Sequence, residues 1–439
     1  MINDCIAAVA TAEGTAGISV IRLSGAGCFE VTDRVFACAK GPAKDWEPRK
    51  LHLGRILGED FSDRAMAVTF HGPHSFTGED AAELHCHGGR ELTRAVLGLC
   101  LSRGARLAEP GEFTRRAFLN GKLDLSACEG LAELLHARSR AEINAGYTLL
   151  QGALKEKIAA CQEELLDLLA GLEVLLDYPE EDLPPEERDR TREILTGIAE
   201  ELDRLSAGQG KGEKVRSGVK TVLAGRVNAG KSSLLNALLG TEKAIVTEIA
   251  GTTRDVVEGE LELGGVRFLL FDTAGIRESP DRLEQLGVAR SRKALEAADL
   301  VLCVREGGRP DPETEALAAG RPTLWVNTKA DLGRSEAPGL WVSARTGEGL
   351  EELRAAMLRT VGLEDLSGEG ELLLQERHYD VIRRARQALA EAMAGIGDKL
   401  PELLAQDVRE VWEILGEITG KTASQEVVDR IFSAFCLGK

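Results

Sequence analysis

The stretch KTVLAGRVNAGKSSLLNALLG, residues 220–240, decides how the centre of this chain folds. An apolar run reaches Gly225, a loop carries Gly230, Lys231 and Ser232, and leucines at helical spacing follow. The loop is a complete G-x-x-x-x-G-K-[ST], with a strand before it and a helix after it, the context that gives this pattern its meaning. Glycines let backbone N–H groups wrap a phosphate without Cβ clashes. The helix N-terminus adds partial positive charge. Lys231 would reach the β- and γ-phosphates, and Ser232 a Mg²⁺ ion. A glycine-rich turn without a ligand is the plain alternative, and the full pattern in this context argues against it.

Working outward, four further motifs follow in order. AGTTRD (250–255) places Thr252 and Thr253 on a loop, where a hydroxyl can complete a Mg²⁺ shell only while the γ-phosphate is present. RFLLFDTAG (267–275) reads as a strand delivering Asp272 and Gly275. Asp272 can act through Mg²⁺ and its water, and the Gly275 N–H can contact the γ-phosphate. LWVNTKADL (324–332) ends a strand with Thr328, Lys329 and Asp331. A carboxylate there can accept from guanine N1–H and the N2 amino group together, which adenine cannot match. LWVSARTGEGL (340–350) ends the next strand with Ser343, Ala344 and Arg345. Order and spacing resemble the five motifs of small GTPases, with two departures. Thr328 stands where Asn is usual, with Asn327 one place earlier, which leaves that position's polar role open. Ile276 stands where many Ras-like GTPases place the Gln that orients the attacking water, and an alkyl chain cannot do that. Arg277, Glu278, Asp281 and Glu284 are the downstream candidates, though on spacing alone a solvated switch-loop charge is the favoured reading of each. Asn228, inside the loop, is either an ordinary loop residue or a ligand for a monovalent cation beside the phosphates. Such a cation could replace an arginine finger.

The 439-residue chain as a whole has 43% hydrophobic and 29% charged residues and a formal charge of −18. That composition suits a globular protein of several domains and argues against a globally basic nucleic-acid binder. The nine cysteines include no C-x-x-C, so a zinc site or redox pair is poorly supported. Scattered cysteines fit a reducing cytosol, and MINDCIAAVATAEG lacks the basic region of a signal peptide. The most leucine-rich stretch is broken by Glu163, Glu164, Asp167 and Glu173, which argues against a membrane span.

Residues 17–25 and 64–72 read as strands, 90–105 as a helix, and the first ~118 residues as α/β. Residues 124–178 and 185–206 read as helical, and 207–218 as a Gly/Lys-rich linker. Strands and helices alternate from 219 to about 362, pointing to a mostly parallel sheet. Residues 366–371 read as a second linker and 372–439 as helical again. The expected division is 1–118, 119–216, 217–365 and 366–439, with the third segment inserted into a helical domain made from both flanks.

With these stretches in hand the chain resembles the MnmE (TrmE) family of tRNA-modifying GTPases. SFTGEDAAELHCHGG (75–89) is similar to its N-terminal motif, and PGEFTRRAFLNGKLDLSACEGLAELL (110–135) to the entry of its helical domain. The loop at 225–238, EIAGTTRD (248–255) and the terminal Cys436-Leu437-Gly438-Lys439 complete the match. The resemblance implies an α/β folate-binding domain that forms a homodimer, a discontinuous all-α domain and an inserted Ras-like P-loop GTPase domain. Arg22, Glu83, Lys122 and Lys439 would contact a tetrahydrofolate derivative, either 5-formyl or 5,10-methylene. GTP would lie against Asn228, Ala229, Gly230, Lys231, Ser232, Ser233, Thr247, Glu248, Ile249, Ala250, Gly251, Thr252 and Thr253. Asp272, Thr273, Ala274, Gly275, Thr328, Lys329, Ala330, Asp331, Ser343, Ala344 and Arg345 would complete that site. Ser232 and Thr253 would hold Mg²⁺. Asn228, Thr247, Ile249 and Thr252 would hold K⁺. Glu284 falls on the glutamate that orients the attacking water. The family acts with an FAD-containing MnmG partner on C5 of the wobble uridine of certain tRNAs, and its G domains dimerise during hydrolysis. The implied location is cytoplasmic, with no membrane contact.

Other features have competing readings. His85, Cys86 and His87 look like a metal cluster, but on a strand the two histidines share a face and the cysteine turns away. Arg377, Arg383, Arg384 and Arg386 form the clearest basic run, readable as a solvated helix face or as phosphate contacts. The tail is a poor prenylation box, since Gly438 and Lys439 occupy its last two positions. The better reading is a buried helix that aims its end at the N-terminal pocket, with Cys436 a candidate reactive thiol beside Lys439. Two other functions compete: a ribosome-assembly switch with similar GTPase motifs, and a folate-dependent transferase that its G domain only regulates. The former usually carries a KH or second G domain, and neither is visible in this sequence.

Overall fold

The structure, a computed structural model, describes residues 4–176, 184–240, 259–272, 296–364, 375–435 and 438. It contains two compact units. One comprises Met1–Ala132, Thr148–Leu195 and Gln387–Lys439, the other Glu133–Tyr147 and Thr196–Arg386.

The first unit holds a seven-stranded sheet. Its strands are β1 (Ile6–Val9), β2 (Ala16–Ser24), β3 (Phe36–Cys38), β4 (His52–Leu57), β5 (Ser62–Phe70), β6 (Ala81–Gly88) and β7 (Arg106–Leu107). They lie in the order β3-β4-β5-β6-β2-β1-β7, antiparallel except for the β1–β7 pair. Along β6, buried Leu84 and Cys86 alternate with the more accessible Glu83, His85 and His87, the period of two that a half-covered strand requires. Helices Cys28–Val35 and Arg90–Ser102 contribute Val31, Val35, Val96 and Leu99 to the core on this sheet. Beneath the sheet edge, Arg116 is 3% exposed, and such a charge is tolerated inside only when paired. Its guanidinium meets Asp4 at 2.7 Å, Glu112 at 2.9 Å and Glu79 at 3.2 Å.

The same unit has a helical part. Asp124 Oδ1 accepts from Ala127 N and caps helix Leu125–His136, and Ser424 Oγ accepts from Val427 N and caps Gln425–Ser433. Phe432 and Phe435 bury themselves with Leu125, Cys128 and Phe118. Gly111 (φ +69°) lets the two segments close, because a Cβ there would lie 2.4 Å from the Phe432 carbonyl oxygen.

The second unit is built on a six-stranded sheet: β8 (Val219–Ala224), β9 (Gly259–Leu263), β10 (Val266–Asp272), β11 (Leu300–Glu306), β12 (Thr323–Thr328) and β13 (Leu340–Trp341). The order is β13-β12-β11-β8-β10-β9, parallel apart from the β9–β10 hairpin. Central β11 is buried along its apolar run LVLCV, as expected of a strand covered on both faces. Ala141 and Ala145, from helix Arg140–Leu150, join this core, and Ala141 N donates to Gly265 O at the hairpin turn. One expectation is corrected. Residues 207–218 are not a linker: Gln209–Ser217 is a helix. Its glycines lower helix propensity, but tertiary contacts override that. Val215 is fully buried, and Lys214 Nζ donates to Val361 O. The expected second linker, 366–371, lies outside the described residues.

Candidate functional site

The phosphate loop leaves β8 at Gly225, where a Cβ would meet the Val304 carbonyl oxygen at 2.3 Å, so no larger residue fits. Asn228 (φ 64°) and Gly230 (φ 93°) take left-handed backbone, and Gly230 caps helix Lys231–Leu239. The loop is thus a backbone cradle that a side chain would fill. Lys231 is 6% exposed, and its ammonium donates to Gly225 O at 2.9 Å and Arg226 O at 3.0 Å. Ser232 Oγ lies 3.4 Å from Asp272 Oδ2, because β8 and β10 are parallel neighbours that pair Asp272 with Leu223. Two hard oxygen donors at the end of a phosphate loop fit Mg²⁺.

At the other end of the site, β12 delivers Thr328 beside the loop. Its hydroxyl is buried and donates to Ala229 O at 2.7 Å, with Arg305 O at a longer 3.3 Å. Thr328 therefore ties the fourth motif to the phosphate loop. Asn327 does not take this role, since its amide donates to Pro338 O. Lys329 (φ 61°) extends to Glu306 Oε1 at 2.5 Å. Asp331 Oδ1 accepts from Ser343 Oγ at 2.7 Å, and its Oδ2 meets Arg345 at 2.9 Å. The Ser343 hydrogen bond, the largest effect, holds this carboxyl below its ordinary value although burial opposes it, and its own backbone N–H and then Arg345 add to the lowering. It is an ionised double acceptor at neutral pH, the group a guanine edge requires. Ala330 and Ala344 sit in the same two loops, and Ala330 N donates to Val342 O. Ser233 follows Ser232 in the helix and is exposed.

Thr247, Glu248, Ile249, Ala250, Gly251, Thr252, Thr253, Thr273, Ala274, Gly275 and Glu284 lie outside the described residues, as do Cys436 and Lys439.

In the first unit, register places Arg22 of β2 opposite Glu83 of β6. Arg22 meets Glu83 Oε1 at 2.9 Å, and His85 Nε2 lies 3.3 Å from its other oxygen. The His85 hydrogen bond, then the Arg22 charge, keep Glu83 below the usual carboxylate range although burial opposes them. The Arg22 guanidinium is 5.8 Å from the Phe113 ring centroid and 6.0 Å from that of Phe76. With Ser24 and Thr77 these residues line a cavity of about 60 Å³. A paired carboxylate and guanidinium between aromatic rings suit a flat heterocycle with N–H groups on its edge, and the void takes only part of such a ring. Lys122 is exposed, with Nζ on Pro73 O at 3.0 Å. Its neighbour Asn120 donates to Thr77 O at 2.7 Å, joining that turn to the cavity wall. Gly438 (φ 92°) is buried, and a Cβ there would lie 2.2 Å from Val9 O. Val9 ends β1, whose preceding Ala8 pairs with Arg22. The tail thus reaches the strand beside the Arg22 site.

His87 Nδ1 goes to Asp63 at 2.6 Å, Cys86 Sγ faces Ser19 O, and no three metal-ligating side chains converge among the described residues. In the basic run, Arg383 and Arg384 both pair with Asp380, and Arg386 pairs with Asp203 at 3.0 Å. No described helix is long and apolar enough to cross a membrane.

Two family models match: the GTP-binding protein TrmE N-terminus over residues 5–122 and the MnmE helical domain over 125–436. A tRNA modification GTPase MnmE of Symbiobacterium thermophilum is 43% identical, covering 100% of both chains. One from Heliobacterium modesticaldum is 42% identical over the same shares. The crystal structure of the G domain of T. maritima FeoB is 28% identical and covers 32% of this chain and 98% of its own, with a TM-score of 0.26, too low to carry weight.

Proposed function

The chain belongs to the MnmE family of tRNA modification GTPases, and from that premise we propose that it hydrolyses GTP in a potassium-dependent way to drive modification of the wobble uridine of certain tRNAs. It is a GTP hydrolase acting in tRNA modification. The observation that carries this is the joining of phosphate and base ends through Thr328, with Asp331 held ionised by Ser343 and Arg345.

In this reading Lys231 leaves its two loop carbonyls for the β- and γ-phosphates, a swap of one set of oxygen acceptors for another. Ser232 and Thr253 hold Mg²⁺, which neutralises phosphate charge. Asn228, Thr247, Ile249 and Thr252 hold K⁺, which adds positive charge where an arginine finger would otherwise stand. Glu284 orients the attacking water. Asp331 reads the guanine edge. The remaining nucleotide contacts come from Ala229, Gly230, Ser233, Glu248, Ala250, Gly251, Asp272, Thr273, Ala274, Gly275, Thr328, Lys329, Ala330, Ser343, Ala344 and Arg345.

Arg22, Glu83, Lys122 and Lys439 hold a tetrahydrofolate derivative, which supplies a one-carbon unit for C5 of the uridine. Glu83 accepts from the heterocycle and Arg22 orients Glu83. The chain works as a cytoplasmic homodimer with an FAD-containing, MnmG-like partner, and pairing of G domains completes the potassium site. Domain limits of 1–118, 119–216, 217–365 and 366–439 accompany this reading. Binding of 5-formyltetrahydrofolate to the full chain and to Glu83→Gln tests the one-carbon half. Equal affinity of the two would contradict it.

A further inference from the structure

A second cavity in the first unit, of about 240 Å³, lies apart from both sites described above. Its wall includes Lys155, Lys421, Gln162, Asp124, Thr419 and Phe118. Both lysines are exposed, so the mouth is open to water, while Gln162 at its base is 3% exposed. The Gln162 amide is held at both ends: its Nε2 donates to Trp412 O at 2.9 Å and its Oε1 accepts from Lys421 Nζ at 3.5 Å. That bond draws the Lys421 ammonium toward the cavity.

The wall holds one carboxylate, Asp124, against two ammonium groups, so it offsets only part of their charge. Asp124 Oδ1 is committed to Ser126 Oγ and Ala127 N as the cap of helix Leu125–His136. Lys155 stands in the first turn of helix Ala153–Leu176, the positive end of its dipole. Helix Pro401–Thr419 brings its negative end to the same wall, but there Gly416 O already accepts from Gly420 N and Lys421 N. Glu156 shares the first turn with Lys155 but does not line the cavity, so within the wall itself two ammonium groups outnumber one carboxylate in a chain of net charge −18. Gly121 also lines it, immediately before Lys122, the turn that carries one of the proposed one-carbon contacts.

We propose that this cavity is a phosphate-binding subsite for the backbone of the tRNA substrate, holding the strand beside the one-carbon site. The proposal rests on the reading of the chain as a tRNA-modifying enzyme. Two ammonium groups suit a phosphate diester as point charges, without reading sequence. The subsite therefore contributes affinity and register and leaves the choice of base to other groups.

Binding of unmodified tRNA to the full chain, measured between about 50 and 200 mM salt, tests it. Lys155→Gln/Lys421→Gln should weaken binding roughly tenfold at low salt and reduce the slope of log K against log salt by about 1.4 to 1.8, the share of two phosphate contacts. Lys155→Arg/Lys421→Arg should retain most of the wild-type affinity and slope. Both variants should hydrolyse GTP at the wild-type rate, which shows that the fold is intact. An unchanged affinity and slope in the Gln variant overturns the subsite while leaving tRNA modification standing. If that variant binds tRNA normally but loses a response to inorganic phosphate that wild type shows, the cavity takes a free anion and the RNA assignment is wrong. Failure of wild type itself to bind tRNA at low salt overturns the underlying reading and the subsite together.

Discussion

Thr328 Oγ1 donates to the Ala229 carbonyl at 2.7 Å, so a residue of the fourth nucleotide motif is fastened to the phosphate loop from a different strand. Removing the hydroxyl leaves a buried acceptor unsatisfied, at a cost of about 1–3 kcal/mol. Thr328→Val should therefore weaken GTP binding by roughly tenfold or more, while Thr328→Asn, which restores a donor, should stay closer to wild type. Titration of the purified chain with a fluorescent GTP analogue checks both.

The hydrogen bond from Ser343, with Arg345 behind it, sets a pH dependence. Asp331 is held below its ordinary value in the folded chain, so its acceptor function is complete above about pH 4 and is lost only as pH falls through the lowered folded value. Ser343→Ala removes the largest cause of the depression and should move the loss upward in pH. The ratio of GTP to ATP affinity, followed from neutral to acid pH in both proteins, is the readout. An identical profile would separate Asp331 from base selection.

Exchange of potassium for sodium bears on Asn228, whose left-handed backbone places it in the phosphate loop. Hydrolysis should fall by about 100- to 1000-fold in sodium, the usual loss when one oxyanion-stabilising group is removed. GTP binding should change far less, because the missing charge serves the transition state. A rate indifferent to the cation would point to an ordinary switch GTPase.

The tail is tested at Gly438. Gly438→Ala puts a methyl group where only 2.2 Å separates it from Val9 O, in backbone that L residues rarely adopt. The tail must lift away from β1. A tag appended after Lys439 should act the same way. Both changes should impair tRNA modification and tetrahydrofolate binding while leaving GTP hydrolysis at the wild-type rate. Normal modification in either protein would remove the tail from the one-carbon site.

Residues that act through local spacing were legible in advance. The loop at 225–232 declared its strand, turn and helix, whereas Arg22 and Glu83 stand out only through the resemblance of the stretches around them to the family's motifs. Their pairing was not legible, because it depends on the register of β2 on β6, which brings together residues 61 positions apart. The role of Thr328 was hidden for the same reason, since its partner is 99 residues away. Helix Gln209–Ser217 is not legible in its composition, because its glycines signal a linker and the burial of Val215 that offsets them is a tertiary effect. The allotment of Glu133–Tyr147 to the second unit rests on contacts such as Ala141 N to Gly265 O, which no periodicity in 124–178 announces.

The most direct test of the central claim is nucleoside analysis of tRNA from a strain that lacks this chain, with and without a plasmid copy. The expected result is loss of the C5 modification at the wobble uridine, restored by the wild-type copy and not by Lys231→Ala, which removes the phosphate-loop ammonium. Fully modified wobble uridine in the deletion strain would contradict the account.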